Sequence, residues 1–402
     1  MSGVAVNGRT YRAPAIRSAV ICLDGCDPAY LDDAFERRLT PRLIELADNG
    51  TYARGSSQLP SFTNPNNLSI VTGAPPSAHG IPGNHYLSPE GDEVQLVDPR
   101  FLRAPSIHAR FAAAGTAVLA VTTKDKLRRM LAAGCVPCVS AEHADEQSLD
   151  GVDPVSELVD RPKPDIYDWD CSHYALELAL ILADCLGTEL LYVSLTDFVQ
   201  HTDAPGGELS DRYLRRLDEL VGDYLDDGWR LALVADHGMN PKVQADGSPN
   251  VRYLGDVLDA AGIDAHVILP ITDPYAVHHA ALGSACWVHV ADGDLDEARA
   301  VIELQDGIEE VLDRDEAATS LSLPDDRIGD LVVLADAHTA LGRRRREHDL
   351  SALRGPLRSH GGRHEQNIPI LLSERPDAAG EQLLEEGATN ADIHQLLLGL
   401  AA

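Results

Sequence analysis

Aspartate and histidine fall in four short segments where a metal site could form: Asp24 before Gly25, Asp197-x-x-x-His201, Asp236-His237-Gly238, and His360 in Arg358-Ser359-His360-Gly361-Gly362. Imidazole nitrogen and carboxylate oxygen suit zinc when no thiolate is used, and one ion needs three or four ligands. Taken singly, an Asp after a strand reads as a cap or turn residue, and a lone His as a surface or satisfied core residue. Four such segments converging on one edge would make a two-metal site. Such a site needs a nucleophile or substrate between its ions. Thr63, in Leu59-Pro60-Ser61-Phe62-Thr63-Asn64-Pro65-Asn66-Asn67-Leu68, precedes an apolar helical run. A hydroxyl at a helix N-terminus meets free backbone N–H groups and the positive end of the dipole. Thr63 could simply cap that helix, but its company favours a nucleophile activated by a metal. Lys124 and Lys126 add a second anion-binding element. They are half of the chain's four lysines, in a sequence that otherwise uses Arg. They read either as a solvated face with Arg128 and Arg129, or as compact ammonium groups held for a ligand. Asn84, after Gly83, reads as a turn residue.

The elements that must position these groups follow from the apolar pattern. Runs at 19–23, 118–121, 190–195 and 231–235 are apolar without alternation, and each ends in a polar loop. That is the signature of strands buried on both faces of a parallel sheet. Helical patterns at 40–49, 106–114, 174–186 and 209–225 lie between them, the first with Thr40 as cap and Pro41 in its first turn. Strand and helix alternating in this way predict a doubly wound α/β fold, a mostly parallel central sheet flanked by helices. Its ligands bind beyond the carboxyl ends of the strands, where Asp24, Lys124, Asp197, Asp236 and His237 fall. Residues 250–350 differ, with short strands near 285–290 and 328–334, acidic helical patches and a basic run at 343–346. They predict a smaller inserted α+β cap domain, leaving 15–249 and 351–402 as the metal-binding catalytic core. A further core strand is expected at 368–372.

Composition narrows the class. The chain of 402 residues carries 33 Lys plus Arg against 64 Asp plus Glu, a formal charge of −31. Such a surface repels phosphate backbones and anionic lipid, so neither nucleic acid nor a membrane is expected as partner. Carboxylate excess with few lysines suits a high-salt interior, where salt screens self-repulsion, and a halophilic source is the expectation. Seven cysteines make an odd number, which argues against a disulfide framework. Cys135-Val136-Pro137-Cys138 has metal-ligand spacing but no second pair, and reads as two buried thiols. No secretory leader and no apolar run of the roughly 18 residues that a membrane span needs is evident. A cytoplasmic protein acting on a small molecule is expected, with a homodimer as a candidate assembly.

The segments Phe62-Thr63-Asn64-Pro65-Asn66-Asn67, Gly83-Asn84, Asp197-x-x-x-His201, Asp236-His237-Gly238-Met239 and His360-Gly361-Gly362 resemble the alkaline phosphatase superfamily. They are most similar to the branch of nucleotide pyrophosphatases/phosphodiesterases and phosphonoacetate hydrolases. Thr122-Thr123-Lys124-Asp125-Lys126-Leu127-Arg128-Arg129 and the segment around His360 look like the latter. The resemblance spans the core and is weak over the insertion. It implies an alkaline phosphatase-like core and two Zn2+ per chain, though the Asp-rich donor set also suits Mn2+ or Fe2+. One ion would be held by Asp197, His201 and His360, the other by Asp24, Asp236 and His237 with Thr63 as nucleophile. Asn84 would hydrogen-bond a phosphoryl oxygen, and Lys124 and Lys126 would bind a substrate carboxylate. The implied reaction is hydrolysis of the C–P bond of phosphonoacetate to acetate and phosphate through a phospho-threonine.

Three other readings compete. A phosphodiesterase or nucleotide pyrophosphatase of the same superfamily would need a wide aromatic slot, and only 5% of residues are aromatic. A phosphoglycerate mutase-like enzyme would use Ser, and a metal-binding module would need no nucleophile. His364 competes with His360 as ligand, and His360 is preferred because it heads the His-Gly-Gly pattern; His364 would then support the site from behind. His85 is expected to line the cavity, and His278 and His279 to lie on the surface.

Overall fold

The computed structural model describes residues 3–273, 279–291, 293–353 and 355–401. Its centre is a seven-stranded sheet. In chain order the strands are β1 (Ser18–Cys22), β2 (Thr51–Ser56), β3 (Val118–Thr122), β4 (Cys138–Ser140), β5 (Leu190–Ser194) and β6 (Arg230–Val234). The seventh, Asn367–Leu372, is numbered β11 below, after the four strands of the insertion. The order across the sheet is β2-β11-β6-β1-β5-β3-β4. Neighbours from β6 to β4 are parallel, and β11 runs antiparallel to both β6 and β2. Every residue of β1, β3 and β5 is buried, as expected for unalternating apolar runs covered by helices on both faces.

Helices form where the periodicity places them. Pro28–Glu36 is α1, Pro41–Asn49 is α2, Thr63–Thr72 is α3, Ile107–Ala113 is α4, Asp125–Leu131 is α5, Cys171–Cys185 is α6, Phe198–Thr202 is α7 and Glu208–Asp226 is α8. Helix α8 buries Tyr213, Leu214, Leu217, Leu220, Val221 and Tyr224, one stripe of a 3.6-residue period. Thr40 does occupy the N-cap of α2, but its hydroxyl makes no capping bond. Asp218 of α8 does that work instead, accepting from the Leu43 N–H at 2.7 Å.

The insertion has its own sheet and core. Strands β7 (Ala265–Ile268), β8 (Ala285–Val290), β9 (Ile308–Asp313) and β10 (Leu331–Ala335) pair antiparallel in the order β7-β8-β10-β9. Trp287, Val288, Leu331 and Val332 centre an apolar cluster that also takes in Leu59 and Phe62 from the main body. The chain leaves and re-enters through adjacent segments, Val251–Tyr253 pairing parallel with Ala340–Gly342. All seven cysteines are free; Cys135 is exposed and Cys138 half-buried, so they are not the two buried thiols expected from the sequence. Among the described residues no helix is long and apolar enough to cross a membrane.

Candidate metal centre and active site

Strand order places the chemistry. Asp236, Asp24, Asp197 and Lys124 lie just beyond β6, β1, β5 and β3, four consecutive strands of the sheet. Adjacent strands lie about 4.8 Å apart, so three carboxylates and one ammonium stand side by side at one edge. All four are buried. Gly25 makes this row possible. It has φ +69°, and a Cβ there would come within 2.9 Å of the Asp197 Cβ.

Asp197, His201 and His360 form one group whose ligand atoms lie within 4.8 Å of one another. Asp197 opens α7, and His201 sits one turn on, on the same face. The His201 Nε2 is 3.0 Å from Asp197 Oδ2, and the His360 Nε2 is 3.7 Å from it. The other ring nitrogens are fixed by carbonyls: His201 Nδ1 lies 2.7 Å from the Arg358 carbonyl oxygen and His360 Nδ1 lies 2.7 Å from that of Ser61. A carbonyl only accepts, so Nδ1 carries the proton and the Nε2 lone pair faces the carboxylate. Two acceptors at 3.0 Å share that space favourably only with a cation or a proton between them.

Asp24, Asp197 and His237 form the second group. His237 repeats the device, with Nδ1 2.9 Å from the Gly238 carbonyl oxygen and Nε2 3.4 Å from Asp24 Oδ1 and 3.7 Å from Asp236 Oδ2. The Thr63 Oγ1 lies 3.2 Å from His237 Nε2 and 3.5 Å from Asp24 Oδ1. Asp197 therefore belongs to both groups, where the sequence had assigned it to one. Asp236 is held from behind. Its Oδ1 accepts from the Gly25 and His237 N–H groups, and its Oδ2 from Asn67 Nδ2 at 3.1 Å. Asn67 also donates to the Thr63 carbonyl and accepts from the Tyr192 hydroxyl at 2.7 Å, so one buried amide joins Thr63 to the Asp236 carboxylate.

The electrostatics fit a cation site. Burial, then repulsion from Asp197 and Asp236, pushes the Asp24 carboxyl well above its usual range. Burial pushes Asp236 up to about 6. Burial, then the neighbouring His237 and His201, holds His360 well below the usual imidazole value. Burial alone would lower Lys124, but Asp197, Asp24 and Asp273 raise it well above the usual ammonium range. Its Nζ is 2.8 Å from Asp197 Oδ1 and 3.4 Å from Asp24 Oδ2.

Thr63 is the first residue of α3, and the N-cap is Phe62. The hydroxyl is thus not the capping group, and it faces a small cavity shared with Asn84, Lys124, Asp197 and His360. Asn84 donates one amide N–H to the Ile271 carbonyl at 3.1 Å. Lys126 makes a buried ion pair with Asp273 of the insertion. Asp273 and His279 also line the cavity. His279 is 3% exposed, with Nε2 3.8 Å from Asp273 Oδ1, so the surface position expected for it is wrong. The other member of that pair, His278, lies outside the described residues. His364 points away, 41% exposed and 3.0 Å from Glu309. His85 is half-buried on a hairpin strand and is not among the cavity-lining residues. Asp273, His279 and Asn67 were missed by sequence reasoning. Asn67 was visible within the Asn-rich segment, whereas the insertion offered no motif for the other two.

Comparisons with known proteins concern the family and the fold. The profile of the type I phosphodiesterase / nucleotide pyrophosphatase family matches residues 18–364. Crystal structures of phosphonoacetate hydrolase from Sinorhizobium meliloti 1021, in complex with phosphonoacetate and with phosphonoformate, superpose with a TM-score of 0.92 at 41% identity, covering 100% of both chains. Murine ectonucleotide pyrophosphatase / phosphodiesterase 5 superposes with a TM-score of 0.64 at 17% identity, covering 96% of each chain, a likeness of fold. Ectonucleotide pyrophosphatase/phosphodiesterase family member 1 from Mus musculus is 27% identical over 238 residues, which is 54% of this chain and 24% of that protein. The match thus spans about a quarter of that relative's length.

The raised carboxyls give a pH test. A carboxyl whose pKa climbs from 3.8 to about 6 on folding contributes stability below the lower value and loses it as pH rises through the higher. A divalent cation displaces that proton and restores the lost stability. Metal affinity, and the rise in melting temperature on adding metal, should therefore grow from about pH 5 to about pH 7.5, with net proton release. Calorimetric titration in buffers of different ionisation enthalpy measures both. Affinity flat across that window would contradict the assignment.

Proposed function

The chain belongs to the type I phosphodiesterase / nucleotide pyrophosphatase family, and we propose that it hydrolyses the C–P bond of phosphonoacetate, yielding acetate and phosphate. The observation that carries this reading is Lys124, a buried ammonium that lines one cavity with Thr63 and pairs with Asp24 and Asp197, placed to meet a second anionic group of the substrate. Among the described residues Phe62 is the one Phe, Tyr or Trp lining that cavity, and it packs edge-on against His360. Full-length similarity to a hydrolase crystallised with phosphonoacetate supports the same substrate.

Two divalent ions, zinc as the family resemblance implies, would fit the two groups. Asp197, His201 and His360 would hold one. Asp24, Asp236 and His237 would hold the other, with Thr63 beside it, and Asp197 is a donor in both groups. Bound there, the ions would neutralise the phosphonate oxygens and lower the pKa of the Thr63 hydroxyl. Thr63 Oγ attacks phosphorus, the C–P bond breaks, and its electron pair passes to carbon. Carbon is a poor leaving group, but the adjacent carboxylate delocalises that pair as an enediolate. Lys124 stabilises the enediolate charge, and Lys126 does so on exchanging Asp273 for the substrate. Charge that develops only in the transition state is where such groups act most strongly. The Thr63 proton passes to solvent, and a water molecule supplies the proton taken up at carbon, giving acetate. Water then cleaves the phospho-threonine, releasing phosphate and restoring Thr63. The Asn84 amide, anchored on Ile271, offers its second N–H to a phosphoryl oxygen.

Two outcomes follow for variants. Thr63→Ala should fold and bind metal but lose turnover by about three or more orders of magnitude, as removal of a covalent nucleophile does. Thr63→Ser should keep part of the activity. Substantial turnover by Thr63→Ala would replace the phospho-threonine with direct attack by water. For the lysines, a charge-assisted hydrogen bond contributes about 1.5–3 kcal/mol. At about 1.4 kcal/mol per factor of ten, Lys126→Ala should lower kcat/KM for phosphonoacetate by about ten- to a hundred-fold. It should leave p-nitrophenyl phosphate hydrolysis nearly unchanged, because that ester carries no carboxylate. Lys124→Ala should affect both substrates, since Lys124 also contacts Asp24 and Asp197. Equal losses on both substrates for Lys126→Ala would mean that it supports the fold or the phosphoryl group.

A further inference from the structure

We infer that Glu365, held by the buried cation Lys242, is a positioning residue that locks the ligand loops of the two metal groups to each other. The inference rests on the two-metal reading. Lys242 and Glu365 both have 0% side-chain exposure, and the Lys242 Nζ is 2.8 Å from Glu365 Oε1. Asn240 Nδ2 donates to the same oxygen at 2.7 Å. The other carboxylate oxygen, Oε2, accepts from the Gly362 N–H at 2.9 Å, two residues after His360. The Glu365 carbonyl accepts from the Gly238 N–H at 2.7 Å, and the Gly238 carbonyl in turn holds the His237 ring. One residue thus ties the His360 loop through its side chain and the His237 loop through its backbone. A short antiparallel pairing of Asn240–Pro241 with Arg358–Ser359 joins the same two loops upstream. Lys242 also donates to the Ala337 carbonyl of the insertion at 2.9 Å.

Taking two opposite charges fully out of water is costly, and a buried pair is seldom retained for stability, since apolar replacements of similar volume often serve as well. This pair consumes one of only four lysines in a chain of net charge −31. What an apolar pair could not do is present acceptors to Gly362 and Asn240. Groups behind metal ligands commonly set metal affinity by about ten- to a hundred-fold.

The test titrates zinc into the metal-stripped full chain against a chelating competitor and compares thermal melts. The variants are Lys242→Met with Glu365→Leu in one chain, and Glu365→Gln alone. The double variant should melt close to wild type yet bind both ions about ten- to a hundred-fold more weakly. A double variant that recovers both stability and wild-type affinity would overturn the inference, reducing the pair to a structural brace. Weakening of one ion alone would overturn the coupling. Should the double variant fail to fold, Glu365→Gln decides below its melting temperature. It places an N–H where Gly362 needs an acceptor, so wild-type affinity for both ions would overturn the inference. A wild-type chain taking up fewer than two ions would overturn the two-metal reading and this inference with it. Two-ion uptake by wild type with unaffected variants overturns this inference alone.

Discussion

Three carboxylates abreast in a dry site are the constraint on which the rest depends. Asp236, Asp24 and Asp197 follow three neighbouring strands, and all are buried. An unpaired buried carboxylate is so costly that it shifts its pKa or recruits a counter-charge. Lys124, from the next strand, supplies one positive charge. The three imidazoles turn their lone pairs inward because carbonyls hold their outer nitrogens. The site is therefore rich in electron pairs and arranged for divalent cations. Thr63 stands beside the same row, its hydroxyl between His237 Nε2 and Asp24 Oδ1.

The insertion packs against the segments that carry that row. Phe62, the residue before Thr63, is buried in the insertion's own apolar cluster. Gly361, beside the ligand His360, sits at φ +123°, and a Cβ there would come within 2.3 Å of the Phe62 ring. The start of α3, the loop after His360 and the insertion thus pack against a single aromatic side chain. Asp273 and His279 complete the cavity from the same side.

The core was legible in the sequence because parallel strands buried on both faces leave long apolar runs, and each run ended in a residue capable of ligation. Asp24, Asp197 and Asp236 could be placed at one edge before any coordinates. What could not be read was the lateral order of the strands, and that order puts Asp24 between its two neighbours and gives Asp197 a place in both groups. The choice of His360 over His364 matches the geometry, since His364 turns out to Glu309. Asp273 and His279 were hidden for a different reason. They reach the site from a segment whose local pattern carries no chemistry, through the folding of a separate sheet. Lys126 looked like a plain substrate ligand, because its partner lies 147 residues away along the chain.

The central claim is that this row of buried carboxylates and imidazoles is a two-cation site. Anomalous diffraction from zinc-loaded crystals, collected on both sides of the zinc absorption edge, tests it most directly. The account predicts two peaks about 4 Å apart, each about 2.0–2.2 Å from its ligands. One should touch Asp197, His201 and His360. The other should touch Asp24, Asp236 and His237, with the Thr63 hydroxyl in its coordination sphere. A single peak, or a second peak that leaves Asp236 and Thr63 uncoordinated, would contradict it.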